Sequence, residues 1–343
     1  MPSRMPFSTA ILARWLGPWA DSTKAPEVAI REDDLDGIRV RIYGRGGRPY
    51  LIAPGLHYAG PDDPRLDRFC RILARAGHLV IAPFIPSYLA LTPNARAIDD
   101  FRRVFVARAR WTERKPIVFS ISFGSLLAFA LAADHGEDLE SLVIFGGFAD
   151  FHETMEFCLT GRVASGREAL RDPLNQSVVL MNLLDHIEPP CADPAAVAAA
   201  WLIYVRRVWG RPEMKVDRRF VQIADELLPE VPEHVRELFQ VGVGSRPGAV
   251  ELARPALAKF DARDLDPTPY LPRVRCRVDL VHGTDDDVVP FEQSHDLATK
   301  LVNADVRVHI TGMYGHTGSK APRWSAAAKE MITMVRVLRV LGR

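Results

Sequence analysis

The chain has 343 residues, with 44 Lys and Arg against 43 Asp and Glu, for a net charge of +1. That balance sets up no long-range field for nucleic acid or anionic lipid, and no run of about 18 apolar residues offers a membrane span. The length, with 48% hydrophobic and 25% charged residues, fits one large α/β domain or a domain carrying an insertion. Four cysteines (Cys70, Cys158, Cys191 and Cys276) lie far apart without a C-x-x-C pair. Neither a disulfide framework nor a zinc site is signalled, so a reducing, cytoplasmic setting is expected, with no metal and no cofactor.

In chain order, the apolar opening "MPFSTAILARWLGPWA" is interrupted by Arg14 and lacks a clear cleavage signal. It predicts a short amphipathic helix lying on the domain in preference to a secretory signal. "RVRIYG" and "YLIAPG" follow as strands, then "HLVIAPFIP", "PIVFSIS" and "SLVIFGGFA", with "RVDLVHG" and "VRVHITG" near the end. Continuous β-branched runs, as opposed to alternation, mark strands covered on both faces, as in a parallel sheet. Between them "PRLDRFCRILARAG", "AIDDFRRVFVARARW", "SLLAFALAADHG" and "FEQSHDLATKLV" carry apolar residues at helical spacing. The alternation predicts a doubly wound, mostly parallel α/β sheet.

From about Phe151 to Asp261 the rhythm breaks, with helical stretches such as "AAVAAAWLIYVRRVW" and no convincing strand. That length is too great for a connection, so an inserted helical subdomain is expected at 151–261, between core segments 1–150 and 262–343. The basic end of the last helix, "SAAAKEMITMVRVLRVLGR", complements the helix dipole and calls for no membrane surface.

"PIVFSISFGSLLAFALA" crowds Ser120, Ser122 and Ser125 into a strand-to-helix junction. Small residues there allow tight helix–sheet packing, but a serine on such a turn is also a ready nucleophile. A strained turn needs small residues two before and two after the nucleophile. Only Ser122 satisfies this, with Ser120 and Gly124. Ser120 has Val118 two before it, and Ser125 has Phe123. A serine needs a histidine to take its proton and a carboxylate to orient that histidine. "LVHGTDDDVVP" leaves one strand with three aspartates, and "VRVHITGMYGHTG" leaves the next and reaches His316. Serine, aspartate and histidine thus follow strand ends in that order.

These features resemble the α/β-hydrolase superfamily over roughly residues 25–150 and 262–343. The turn reads S-x-S-x-G where the superfamily has G-x-S-x-G. Its H-G-x-x-D-x-x-V-P pattern falls on His282, Gly283, Asp286, Val289 and Pro290. The resemblance implies Asp286 as the acid, with Asp285 and Asp287 as turn residues. Asp150, after the preceding strand, is the alternative acid, although Asp150-Phe-His-Glu153 also fits a helix cap. It further implies an oxyanion hole from the backbone N–H groups of Phe123 and Leu56, the latter in "APGLHYAG", where His57 and Tyr58 could line a pocket or simply pack. His152, Glu153 and Glu156 lack the second histidine of a zinc helix, and "GRGGRP" lacks the context of a phosphate loop.

The resulting expectation is a serine hydrolase cleaving a carboxylic ester or thioester, its small-molecule substrate bearing an apolar acyl group. The inserted helices, with Phe157, Leu180, Met181, Trp201, Tyr204 and Trp209, would resemble a cap, although aromatics at helical spacing are first of all core residues. Acyl transfer with the same triad and a non-catalytic binding protein of the same fold are the competing expectations.

Overall fold

The computed structural model describes residues 7–312, 314–315, 318–319 and 327–343. In the first part of the chain, α1 (Phe7–Leu16) precedes β1 (Ile30–Leu35), β2 (Ile38–Tyr43) and β3 (Pro49–Ala53). Then come α2 (Pro64–Arg75), β4 (Leu79–Pro83), α3 (Pro86–Leu89), α4 (Arg96–Ala107), β5 (Ile117–Ile121), α5 (Gly124–His135) and β6 (Ser141–Phe145). Six helices follow: α6 (Phe151–Thr160), α7 (Gln176–Leu183), α8 (Pro194–Val208), α9 (Arg219–Leu227), α10 (Arg236–Gly242) and α11 (Ala249–Lys259). The chain closes with β7 (Arg277–Gly283), α12 (Glu292–Lys300), β8 (Asp305–Thr311) and α13 (Ala327–Leu341).

Two compact units result. The first contains Met1–Asp150, Leu265–Asp286 and Phe291–Arg343; the second contains Phe151–Asp264 and Asp287–Pro290. The first unit is built on one eight-stranded sheet in the order β1-β2-β4-β3-β5-β6-β7-β8. β2 runs antiparallel to β1 and β4, and the remaining pairs are parallel. The expected doubly wound, mostly parallel sheet is therefore present, and every strand read from the sequence forms.

β1 was not foreseen. Its sequence, IREDDL, is almost wholly exposed, as suits a charged edge strand that discourages further pairing. The hairpin to β2 turns at Asp36 and Gly37, both at positive φ (51° and 88°), the type I′ geometry that Asp-Gly favours.

Alternation along the strands gives the sheet two apolar faces. Tyr50, Ile52, Phe119, Val143 and Val281 join Leu12 of α1, Leu66 and Leu73 of α2, and Met334, Leu338 and Leu341 of α13 in one buried cluster. The intervening Leu51, Val118, Leu142 and Leu280 are equally buried. α4 and α5 pack on each other, and α5 also packs on β3, β5 and β6. The expected N-terminal helix forms, burying Leu12.

The second unit is helical, apart from an isolated bridge between Arg162 and Glu168. α8 starts at an Asp193 cap that accepts the Ala196 N–H, followed by Pro194 at its first position. Trp201, grouped with possible pocket residues on sequence, is instead fully buried in this unit, its Nε1 donating to Phe239 O at 3.2 Å. A Cβ on Gly242 would lie 2.3 Å from the Trp201 ring, so a backbone without side chain is needed there. No helix among the described residues is long and apolar enough to cross a membrane.

One buried ion cluster sits near the start of β7. Asp279 is fully buried and accepts from Arg277 Nε at 2.9 Å and from His309 Nε2 at 2.9 Å, with Arg343 at 3.6 Å. Burial alone would raise its pKa, but the His309 hydrogen bond and the arginine charges leave it below the usual carboxylate value. A carboxylate depressed in the folded state stabilises fully above its unfolded pKa, and loses that contribution as pH falls through the folded one. Asp279→Asn should therefore cost on the order of 3 kcal/mol near neutral pH. The gap to the parent protein should narrow steadily in acid. Urea unfolding between pH 3 and 7 measures this, and a pH-independent gap would rule out the ionic account.

Candidate active site

β5 ends at Ile121 and α5 begins at Gly124, leaving two residues to reverse the chain. Ser122 takes up the turn at φ 51°, a left-handed conformation costly for a residue with a Cβ. Its N–H donates to Phe145 O of β6 at 2.9 Å, and its carbonyl accepts the Ser125 N–H at 2.9 Å. The Phe123 carbonyl accepts from the buried Tyr88 hydroxyl at 3.1 Å. Ser122 thus stands at the amino end of a 12-residue helix, where the dipole favours negative charge.

The neighbours explain the small residues. A Cβ on Gly124 would lie 2.1 Å from Ala53 O and 2.7 Å from Pro54 O, so α5 can start here only because it has none. Ser120 lies in register between Ala53 of β3 and Ile144 of β6, fully buried, and its hydroxyl finds no partner among the described residues. Ser125 is also fully buried and accepts the Phe148 N–H at 3.4 Å. The three serines have separate environments, and only Ser122 lies on the turn.

The loop after β3 abuts the same turn. A Cβ on Gly55 would fall 3.7 Å from Ser122 Cβ and 3.1 Å from Ile121 O. Leu56 follows it directly and is half-buried. His57 stacks on Tyr58 with ring centroids 4.6 Å apart. Its Nδ1 accepts the Ala59 N–H at 3.2 Å, which leaves Nε2 as the protonated nitrogen, 3.2 Å from Asp63 Oδ2. Burial pushes His57 down to about 4 despite the opposing charge of Asp63, so the ring is neutral near pH 7. Burial raises Asp63, but hydrogen bonds and charge from Arg65 outweigh it and leave the carboxyl below its usual value. Asp63 also caps α2 through the Arg65 N–H at 2.8 Å.

Beyond β7 the chain turns at Gly283, and Asp286 is buried with its carboxylate 3.4 Å from His282 Nε2. The other nitrogen of His282, Nδ1, is 2.7 Å from Ser294 Oγ of α12. His282 therefore links Asp286 to α12, a role that its membership of the H-G-x-x-D pattern did not disclose. Asp285 is exposed. Asp287, expected as a turn residue, lies in the bend after β7 and also makes an ion pair with Lys215 at 2.6 Å. Asp150 is half-buried, and the N–H groups of Ala149 and Asp150 both donate to Gln293 Oε1, at 2.8 and 3.0 Å. Of the two candidate acids, Asp286 is the buried one.

His316 lies outside the described residues. The base of its loop is fixed, because Thr311 Oγ1 and Gly312 N donate to Glu330 Oε2 at 2.6 and 2.9 Å. Residues 314–315 and 318–319 pair antiparallel. Register ties the remaining parts together: Ala53 pairs with Ser120, Ile121 with Phe145, and Phe145 with Val281. The Ser122 turn, the Gly55–Leu56 loop and the Gly283–Asp286 loop therefore leave one carboxyl edge of the sheet, where such folds bind ligands. In the helical unit, Glu156 of α6 pairs with Arg254 at 2.5 Å. No cluster of three or more His, Cys, Asp or Glu suited to a metal occurs among the described residues.

No protein-family model matches the chain. Among solved structures it is similar to an acylaminoacyl peptidase of Pyrococcus horikoshii (12% identity, TM-score 0.47), over 93% of this chain but only 41% of the peptidase. It is also similar to a 2-hydroxy-6-oxo-6-phenylhexa-2,4-dienoate hydrolase of a Rhodococcus strain (17% identity, TM-score 0.47, 91% of this chain and 100% of that one). A thioesterase domain from the curacin biosynthetic pathway is similar at 13% identity and a TM-score of 0.45, over 91% and 99% of the two chains. With this strand order, a single antiparallel β2 among the central strands and a positive-φ serine after β5, the chain has the α/β-hydrolase fold.

Two substitutions test the packing of the turn. Gly124→Ala drives a methyl group into the β3 backbone and should cost at least about 3 kcal/mol in chemical unfolding. Ser120→Ala removes a buried hydroxyl that has no partner and should raise stability by about 1 kcal/mol. If Ser120→Ala proved destabilising by a similar amount, that hydroxyl would have to be satisfied.

Proposed function

We propose that the chain is a serine hydrolase that cleaves carboxylic esters or thioesters through an acyl-enzyme. Ser122 Oγ attacks the acyl carbon while His316 takes the hydroxyl proton and returns it to the departing alkoxide or thiolate. Asp286 orients the imidazole and stabilises its cation, and the amides of Phe123 and Leu56 receive the oxyanion. Water then repeats the sequence and releases the acid. The observation that carries this reading is the left-handed Ser122 at the carboxyl edge, at the start of α5, a conformation costly enough to need a reason.

Two of the described histidines, His57 and His282, support His316 as the base by being engaged elsewhere. His57 has its two nitrogens directed to the Ala59 amide and to Asp63, and burial holds it neutral with a pKa of about 4. His282 has its two directed to Ser294 and Asp286. Both rings therefore have other groups beside their nitrogens. The burial of Asp286 beside His282 supports it over Asp150 as the acid.

Steady-state hydrolysis of p-nitrophenyl acetate tests the assignment. Ser122→Ala should lower kcat/KM about 10⁴-fold or more, and Asp286→Asn about 10³- to 10⁴-fold. Asp150→Asn, Ser120→Ala and Ser125→Ala should retain most activity. A greater loss from Asp150→Asn than from Asp286→Asn would move the acid to the loop after β6. The apolar acyl preference is tested separately, with kcat/KM rising up to about fourfold per added CH₂ over the first few carbons. A flat series would remove that preference and leave the triad standing.

A further inference from the structure

Within the sheet unit, α1 rests on both α2 and α13. Ser8 Oγ donates to Gly342 O at 2.5 Å, seating the start of α1 against the end of α13. Arg68 of α2 donates to the carbonyls of Trp15 and Lys24, each at 2.8 Å, and so ties down the segment that follows α1. The inward sides are apolar, with Leu12, Met334 and Leu338 buried in the core. The outward sides lack the polar face that a surface helix ordinarily turns to water. Phe7, Ala10 and Arg14 form the exposed stripe of α1, and Ile332, Arg336 and Arg339 that of α13. Phe7 is 78% exposed, Ile332 55%, and Trp19, just past α1, 60%.

Charge on these two helices has one sign. α1 contains no acidic residue, and the one acid of α13, Glu330, is half-buried and accepts from Thr311 and Gly312. Arg14, Arg336 and Arg339 are exposed, and no carboxylate among the described residues pairs with them.

We propose that the outer side of α1 and α13 is a docking surface for an anionic lipid bilayer. Phe7, Trp19 and Ile332 enter the headgroup region, and Arg14, Arg336 and Arg339 meet the lipid phosphates.

Helix dipoles account for Arg14 and Arg339, each in the last turn of its helix, but not for the bulky apolar side chains left in water beside them. A second copy of the chain is the poorer occupant. A two-fold contact would set the same arginines against each other with no acid from either helix to offset them. Lipid headgroups supply the missing negative charge, and the acyl boundary takes the aromatic and aliphatic groups. With ten residues α1 cannot cross a bilayer, so it lies in the surface plane. The net charge of +1 gives no attraction at a distance, so attachment depends on this local patch. No residue of the proposed active site belongs to it, and its test is independent of that reading.

The test is sedimentation of the full chain with vesicles of equal parts phosphatidylcholine and phosphatidylglycerol, against vesicles of phosphatidylcholine alone. The chain should bind the anionic vesicles, bind the neutral ones far more weakly, and be released in about 0.5 M NaCl. Arg14→Gln and Arg336→Gln should each lower the partition coefficient about fivefold. The double variant Phe7→Ser with Trp19→Ser should lower it about tenfold or more. All these positions are exposed, so urea unfolding should show an intact fold. Absence of binding to anionic vesicles, equal binding to neutral ones, or full binding by the variants would overturn the proposal. Self-association that the double variant abolishes, without vesicle binding, would overturn it in favour of a second copy.

Discussion

The close approach of the start of α5 to the end of β3 is the constraint on which the candidate site depends. With no Cβ at Gly124, the helix can begin against the carbonyls of Ala53 and Pro54. That leaves only Ser122 and Phe123 to turn the chain, and Ser122 absorbs the reversal at φ 51°. The bond from Ser122 N to Phe145 O then ties the turn to β6, and Gly55 brings the β3 loop against its other side. A serine so placed lies at a sheet edge and a helix amino end at once, where a developing oxyanion is favoured. The strain is carried by packing on both sides, as is usual where backbone outliers serve a site.

Three buried carboxylates of the sheet unit are each matched to partners. Asp63 has Arg65 and the α2 amides, Asp279 has Arg277 and His309, and Asp286 has His282. Each pairing offsets the cost of removing a carboxylate from water. Histidine shows the same economy. His57, half-buried and neutral, links the β3 loop to Asp63 at the start of α2, while His282 links Asp286 to α12. The loop after β8 is held at its base by Glu330.

Much of this was legible in the sequence because the relevant signals are local. Unbroken apolar runs reveal buried parallel strands, and the spacing of Ser120, Ser122 and Gly124 singles out the turn from steric need alone. β1 was missed because a charged edge strand buries almost nothing, so IREDDL has no apolar pattern; the Asp36-Gly37 pair was its only mark. Trp201 could not be assigned to core or pocket from helical spacing, since either use of an aromatic gives the same periodicity. The ion pair of Asp287 was hidden because its partner Lys215, which also bridges to Asp172, is distant in sequence. Long-range ion pairs of that kind leave no trace in a single chain's composition.

The most direct measurement of the central claim is labelling of the intact protein with a fluorophosphonate, followed by peptide mapping of the adduct. The account predicts one adduct per chain, on Ser122, formed rapidly near pH 8 and abolished in acid as the general base becomes protonated. An unlabelled protein, or an adduct on Ser120, Ser125 or another residue, would contradict it.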